Sequence, residues 1–196
     1  RRAKGRWTKM TEREKMLAGE PYDPGDPELV RLRLMMRQIC QAYNNLPPED
    51  EAGHDLLRMR MLGAHKERAY MEPPVWFDYG VNTSVGERFY ANFGLTVLDS
   101  AQVIIGDYVE IGPNVDIYTA THPLDPTARA TGLEYGKPVR IGNHVWIGGH
   151  TVINPGVTIG DNTVIGSGSV VTRDIPAGVL AAGNPCRVIR KIVESL

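Results

Sequence analysis

Residues 141–175 read IGNHVW IGGHTV INPGVT IGDNTV IGSGSV VTRDI. An aliphatic opens every block of six: Ile141, Ile147, Ile153, Ile159, Ile165, Val171. Four residues later stands a compact or branched residue: Val145, Thr151, Val157, Thr163, Ser169, Ile175. A period of six is neither helical nor the alternation of a simple strand. It fits a parallel β-helix of short strands, with position one inside and position five compact because it lies near a corner. Gly or Asn at position two suits a turn with unusual backbone angles. Three hexads would close one triangular coil, so residues eighteen apart would stack.

Counting the phase backwards gives Ile117, Ile111 and Ile105, then Asp99, Phe93, Glu87, Val81 and Val75. A charge in a narrow prism is costly. Asp99 and Glu87 therefore require either a bulge, of the kind found at functional sites, or a different register. Between Ile117 and Ile141 the hexads vanish but the phase survives. That predicts a loop extruded at a corner, about residues 123–138, and a long loop in a compact solenoid points to function.

The N-terminal third reads as helices that cap one end of the solenoid. Thr11 caps the first, with Glu14 three residues on and Gly19 as its stop. Asp26-Pro27 opens the second, with Leu29, Leu32, Met35, Met36, Ile39 and Tyr43 on one face. The third runs from about Glu49 to about His65, using Leu56, Leu57, Met61 and Leu62, with His54 and His65 exposed. The expected layout is an upstream tail over 1–9, a helical cap over 10–72, a β-helix over 73–178 and a C-terminal capping segment over 179–196.

The 196 residues are 42% hydrophobic and 23% charged, as in an ordinary soluble chain. The 21 Gly and 14 Pro suit a turn-rich solenoid, and the net charge of -1 gives no global case for nucleic acid or membrane binding. No apolar run would span a bilayer and no secretory signal is seen. Cys40 and Cys186 read as two reduced thiols of a cytoplasmic protein.

His122 stands at the root of the extruded loop. It is either a general base, for which imidazole is suited near neutral pH, or a loop histidine bonded to its turn. Positions eighteen from His144 and His150 hold no ligand type, so no metal site is expected. Arg173, Arg187, Arg190 and Lys191 form either a landing site for an anionic carrier or a solvated tail.

Several segments together resemble the maltose and galactoside O-acetyltransferases of the hexapeptide-repeat family. They are Glu14-Lys15-Met16-Leu17-Ala18-Gly19-Glu20, Phe89-Tyr90-Ala91-Asn92-Phe93, Tyr118-Thr119-Ala120-Thr121-His122-Pro123, Gly136-Lys137-Pro138-Val139, Asn143-His144-Val145-Trp146-Ile147-Gly148-Gly149 and Ala182-Gly183-Asn184-Pro185. The resemblance covers about Met10 to Ile192, and the loop looks more like the maltose branch. It implies a mainly β fold, a left-handed parallel β-helix with an N-terminal α-helical cap and one extruded loop. It also implies acetyl transfer from acetyl-CoA to a sugar hydroxyl, without a metal, in a homotrimer whose active sites lie between subunits. By motif position His122 is the base and Asn92 an active-site polar residue. Asp23 or Asp26, Asp78, Tyr90, Asp99 and Ser100 sit where the acceptor would be contacted. Trp146, Gly149, Ser167, Thr172, Arg173, Arg187 and Arg190 match acetyl-CoA positions, and the Gly149 N–H is the candidate oxyanion donor. Two other readings stand beside this one: a related transferase for another alcohol or amino acid, and a non-catalytic scaffold.

Overall fold

The computed structural model describes residues 9–193. The tail expected over 1–9 lies outside them except for Lys9, as do residues 194–196. The fold is mainly β: a left-handed parallel β-helix with three faces. The first face holds Ala64–His65, Thr83–Val85, Val103–Ile105, Val139–Ile141 and Thr158–Ile159. The second holds Tyr70–Met71, Tyr90–Ala91, Glu110–Ile111, Trp146–Ile147, Val164–Ile165 and Val179–Ala182, closed by antiparallel Arg187–Lys191. The third holds Val75–Phe77, Leu95–Leu98, Asp116–Tyr118, Val152–Ile153 and Val170–Val171. Strands Ala64–His65 and Tyr70–Met71 already pair within the solenoid, ahead of residue 73.

The clean repeat stacks as the hexads require: Ile141 on Ile159, Ile147 on Ile165, Ile153 on Val171. All six of these side chains are buried, with Val145, Thr151, Val157, Thr163, Ser169 and Ile175 beside them. Position two has a different physical basis from the one expected. Gly142, Gly148 and Gly160 are not among the residues with positive φ. A Cβ on Gly142 would lie 2.8 Å from the Asp161 backbone nitrogen, and on Gly148 2.5 Å from that of Ser167. Glycine is needed there because the next coil passes too close for a side chain. The left-handed residues sit at position four instead: His144, His150, Gly156, Asn162 and Gly168.

Upstream, the register differs from the backward count. Thr83 pairs with Val103, Tyr90 with Glu110 and Val97 with Ile117, so those coils hold twenty residues. Val85, Ala91 and Val97 point inward, whereas Val81 and Phe93 are 41% and 54% exposed and Glu87 is partly exposed. The extra length lies at the corner between the third and first faces, where Asp99 is buried. Its carboxylate accepts the Tyr79 N–H at 2.8 Å and the Thr83 hydroxyl at 2.9 Å, and its carbonyl accepts the Asn82 amide at 2.8 Å. Of the two readings for Asp99 and Glu87, Asp99 is thus an inward charge at a bulge and Glu87 a register change.

Burial raises the Asp99 carboxyl to about 6, against the hydrogen bonds that favour its charged form. A carboxyl raised on folding stabilises the fold fully below its unfolded value and loses that contribution as pH rises through about 6. Asp99→Asn keeps the shape without the charge. It is expected to flatten stability between pH 4 and 7 and to gain on the order of 2 kcal/mol at pH 8. Urea unfolding across pH checks this, and an unchanged slope contradicts it.

Helix α1 spans Glu12–Ala18 with a capping box between Thr11 and Glu14 and a left-handed Gly19. Helix α2 spans Pro27–Asn44, capped by Asp26, and buries Leu29, Met36, Ile39, Cys40 and Tyr43, while Met35 is exposed. Helix α3 is shorter than expected, Glu51–Met61, and rotated. It buries His54, Arg58 and Met61, leaves Leu56 59% exposed, and His65 has passed into a strand. Apolar periodicity alone cannot see a helix that buries polar side chains. One core runs from Met36, Ile39 and Tyr43 through Val75 and on to Ile175, so α2 and α3 cover the first coil. A second cluster of Met16, Tyr22, Leu29 and Tyr79 holds the loop after α1 against the corner between the third and first faces.

Candidate active site

The loop leaves the solenoid at the corner between the third and first faces. Thr119 is buried there, its hydroxyl donating to the Leu98 carbonyl and accepting the Ala101 N–H. The chain then forms an antiparallel neck, Ala120 opposite Gly136 and Thr121 opposite Tyr135. The tip closes on itself: Asp125 caps the four-residue helix α4 (Pro126–Arg129), and Arg129 donates to the Pro123 and Leu124 carbonyls. Val139 pairs with Val103 and Ile153 with Ile117, an offset of twice eighteen, so the loop is an insertion between two regular coils.

His122 projects where the neck ends, with its side chain 52% exposed. Its Nε2 lies 3.8 Å from Glu134 Oε2, close enough for charge attraction but beyond a hydrogen bond. Glu134 is anchored by Tyr22: the backbones exchange both N–H to C=O bonds, at 3.0 and 3.2 Å, and the phenol donates to the carboxylate. Tyr22 is fully buried, and burial, followed by the bond to Glu134, pushes its phenol above the ordinary tyrosine range. Neither Tyr22 nor Glu134 belonged to the expected site. A hairpin neck would have placed Glu134 near His122, but nothing local marks Tyr22.

The same corner carries other expected residues. Asp78 is partly buried, and burial raises its carboxyl while Arg33 and Arg37 oppose the rise. Arg33 also donates to the Tyr79 hydroxyl at 2.5 Å and to the Pro24 carbonyl at 2.6 Å. Ser100 is buried next to the Tyr22 phenol. Asp99 has no exposed surface, so the expected acceptor contact becomes a structural role: its carboxylate holds the coil. Asp26 spends its carboxylate on the N-terminus of α2, and Asp23 is exposed in the turn beside it. Thr172 and Arg173 lie at this corner too, two coils beyond the loop.

The remaining expected residues are elsewhere. Asn92 sits at the corner between the second and third faces, its Oδ1 accepting the Phe93 N–H at 2.8 Å. Tyr90 and Trp146 point outward from the second face, Trp146 55% exposed. Gly149 and Ser167 occupy the Asn92 corner two and three coils further on, and the Gly149 N–H takes no hydrogen-bond acceptor among the described residues. Arg190 pairs with Leu180 and Arg187 with Ala182 on the closing strand. The candidates therefore fall into two groups, one at the His122 corner and one at the Asn92 corner with the adjoining second face and its closing strand, and the whole third face separates them within one chain.

Among the described residues no group of His, Cys, Asp or Glu could hold a metal, and no helix is long and apolar enough to cross a membrane. His144 stacks on Tyr108 at 5.0 Å across the loop insertion, a neighbour that counting by eighteen misses.

The chain is similar to known proteins along most of its length. A maltose acetyltransferase hexapeptide capping motif matches residues 15–65, and the six-repeat bacterial transferase hexapeptide matches residues 138–173. The galactoside O-acetyltransferase of Escherichia coli K12 is 46% identical over 93% of this chain and 89% of its own. The crystal structure of a maltose O-acetyltransferase from Clostridium difficile 630 is 46% identical, with a TM-score of 0.92 over 95% of this chain and 100% of that one. A galactoside acetyltransferase in complex with coenzyme A is 46% identical, with a TM-score of 0.91 over 94% of this chain and 92% of that one.

Proposed function

The chain belongs to the maltose and galactoside O-acetyltransferase family of hexapeptide-repeat transferases, and from that premise we propose that it moves an acetyl group from acetyl-CoA to a sugar hydroxyl, with His122 as general base. The observation that carries this reading is the placement of His122: an exposed imidazole at the end of a rigid neck, beside a carboxylate that Tyr22 holds in place.

In this reading the acceptor hydroxyl gives its proton to His122 and attacks the thioester carbonyl directly. Glu134 stabilises the imidazolium that forms. The tetrahedral oxyanion is met by the Gly149 N–H, and coenzyme A leaves as the thiol after taking the proton back from His122. A covalent acyl-enzyme is disfavoured by the thiols: both cysteines are buried, and burial raises Cys40 to about 11 and Cys186 above its ordinary value. Acetyl-CoA binds along Trp146, Gly149, Ser167, Arg187 and Arg190, with Thr172 and Arg173 at the other corner. Asp78, Tyr90, Ser100 and Asp23 border the acceptor. The reading requires no metal and has the reaction run in the cytoplasm.

The split of candidates between two corners supports a homotrimer. Three copies around an axis bring the His122 corner of one chain to the Asn92 corner of the next, so each site takes its base from one copy and Asn92, Gly149 and Trp146 from its neighbour.

A thiol-release assay with acetyl-CoA and glucose, maltose, a galactoside, serine and an aliphatic alcohol tests the reading. Release is expected with glucose and maltose above the others. Release with serine or the simple alcohol alone moves the chain to a different acceptor class, and no release with any acceptor contradicts the proposal.

A further inference from the structure

One row of side chains points outward along the second face. Its strands pair in register, so Tyr70, Tyr90, Glu110, Trp146, Val164 and Leu180 follow one another at a single position. Each is followed in sequence by a buried residue, which puts the whole row on the solvent side of the sheet. All but one of these side chains are aromatic or aliphatic. The exception is Glu110, which is exposed and, among the described residues, pairs with no cation.

Glu110 stands on the rung between two aromatic residues. Adjacent strands lie about 4.8 Å apart, so the Tyr90 and Trp146 rungs are about 10 Å apart. Tyr90 is braced on its other side. The Tyr70 ring stacks on it at 6.2 Å with 4° between the planes, and the Arg58 guanidinium lies 5.5 Å from the centre of the Tyr70 ring. The side of Tyr90 toward Trp146 therefore faces the Glu110 rung, and Trp146 beyond it is 55% exposed. Glu110 is close enough to act on the Tyr90 phenol. Burial raises that phenol above its ordinary value, and Glu72, the Tyr70 phenol and Glu110 add to the rise.

That combination selects by charge. An aromatic ring attracts a cation through its quadrupole, tryptophan most strongly, and an unpaired carboxylate attracts it directly. A neutral hydroxyl keeps only its hydrogen bond to the carboxylate, and an anion is repelled. In the acetyl-transfer reading Tyr90 borders the acceptor and Trp146 the carrier, so Glu110 stands where the two substrates meet. We propose that Glu110, between Tyr90 and Trp146, is a specificity-determining residue that favours acceptors carrying an ammonium group, such as an amino sugar, over neutral sugars. The inference rests on the acetyl-transfer reading and goes beyond it by assigning the acceptor a charge.

The test is thiol release by the full chain with acetyl-CoA and glucosamine, glucose or N-acetylglucosamine, at about pH 6, where an amine is charged. NMR of the products identifies the O-acetyl ester. The expected kcat/KM is about tenfold higher for glucosamine than for glucose. N-acetylglucosamine keeps the substituent and loses the charge, and should do no better than glucose. Glu110→Gln keeps the size of the side chain and is expected to bring the glucosamine-to-glucose ratio to about one. The residue is exposed, so the substitution leaves the core intact. Equal use of glucosamine and glucose by the wild type, or a preference that survives in Glu110→Gln, overturns the proposal. So does a variant that loses activity toward every sugar alike, which would make Glu110 a subunit contact. If glucose and maltose are acetylated and glucosamine is no better, this inference falls while the acetyl-transfer reading stands. No release with any sugar overturns both.

Discussion

Replacing His122 by alanine is expected to lower kcat for acetyl transfer by about 10²- to 10⁴-fold, the range that a positioned general base contributes. Binding of acetyl-CoA, measured by calorimetry, should stay within about twofold, because the carrier's candidate contacts lie at other residues. The fold should be unaffected: the side chain is 52% exposed and caps nothing in the core. An equal loss in kcat and in acetyl-CoA affinity would point to a binding role instead. Full activity in the variant would remove the imidazole from the mechanism. Asn at the same position is a useful companion, since it keeps a polar group of similar reach without a basic nitrogen, and should be as inactive as alanine.

So large an effect follows from the geometry around His122. The neck pairs Thr121 with Tyr135 and closes with Thr119 tied to both Leu98 and Ala101, so His122 follows two residues whose backbone is fixed. Gly136 packs so tightly on the coil that a Cβ there would lie 2.8 Å from that of Ala101. On the far strand Glu134 is fixed by three bonds to Tyr22. A base whose supports are rigid loses little to reorganisation in the transition state.

The regular half of the solenoid was legible residue by residue, because each hexad carries its own inward aliphatic. The irregular half was not. Val85, Ala91 and Val97 are apolar and six apart, so they look like position five of the downstream phase when they are inward residues of a wider coil. The cause is Asp99: its burial among three donors adds length at a corner that no apolar pattern records. Helix α3 was misread for the same reason, since His54 and Arg58 occupy the face that Leu56 was expected to fill. His122 could be found from the failure of the repeat. Tyr22 could not, because it reaches Glu134 across 112 residues of sequence.

The position of Asn92 leads to the second large effect. Asn92→Ala is expected to be nearly as inactive as His122→Ala, yet the two residues stand on different corners with the third face between them. If each site takes His122 from one copy and Asn92 from the next, the two inactive variants can repair each other. In a trimer assembled at random from equal amounts of both, about one site in four receives an intact residue from each side. If instead both residues act within one chain, every site keeps one defect whatever the mixture.

The decisive measurement is thiol release by assemblies re-formed from a 1:1 mixture of His122→Ala and Asn92→Ala chains, with mixed assembly verified by differential tags. Recovery to about a quarter of wild-type activity is expected if the site is shared between copies. Mixed assemblies no more active than the separate variants, or a protein that sediments as a monomer while retaining full activity, would contradict it.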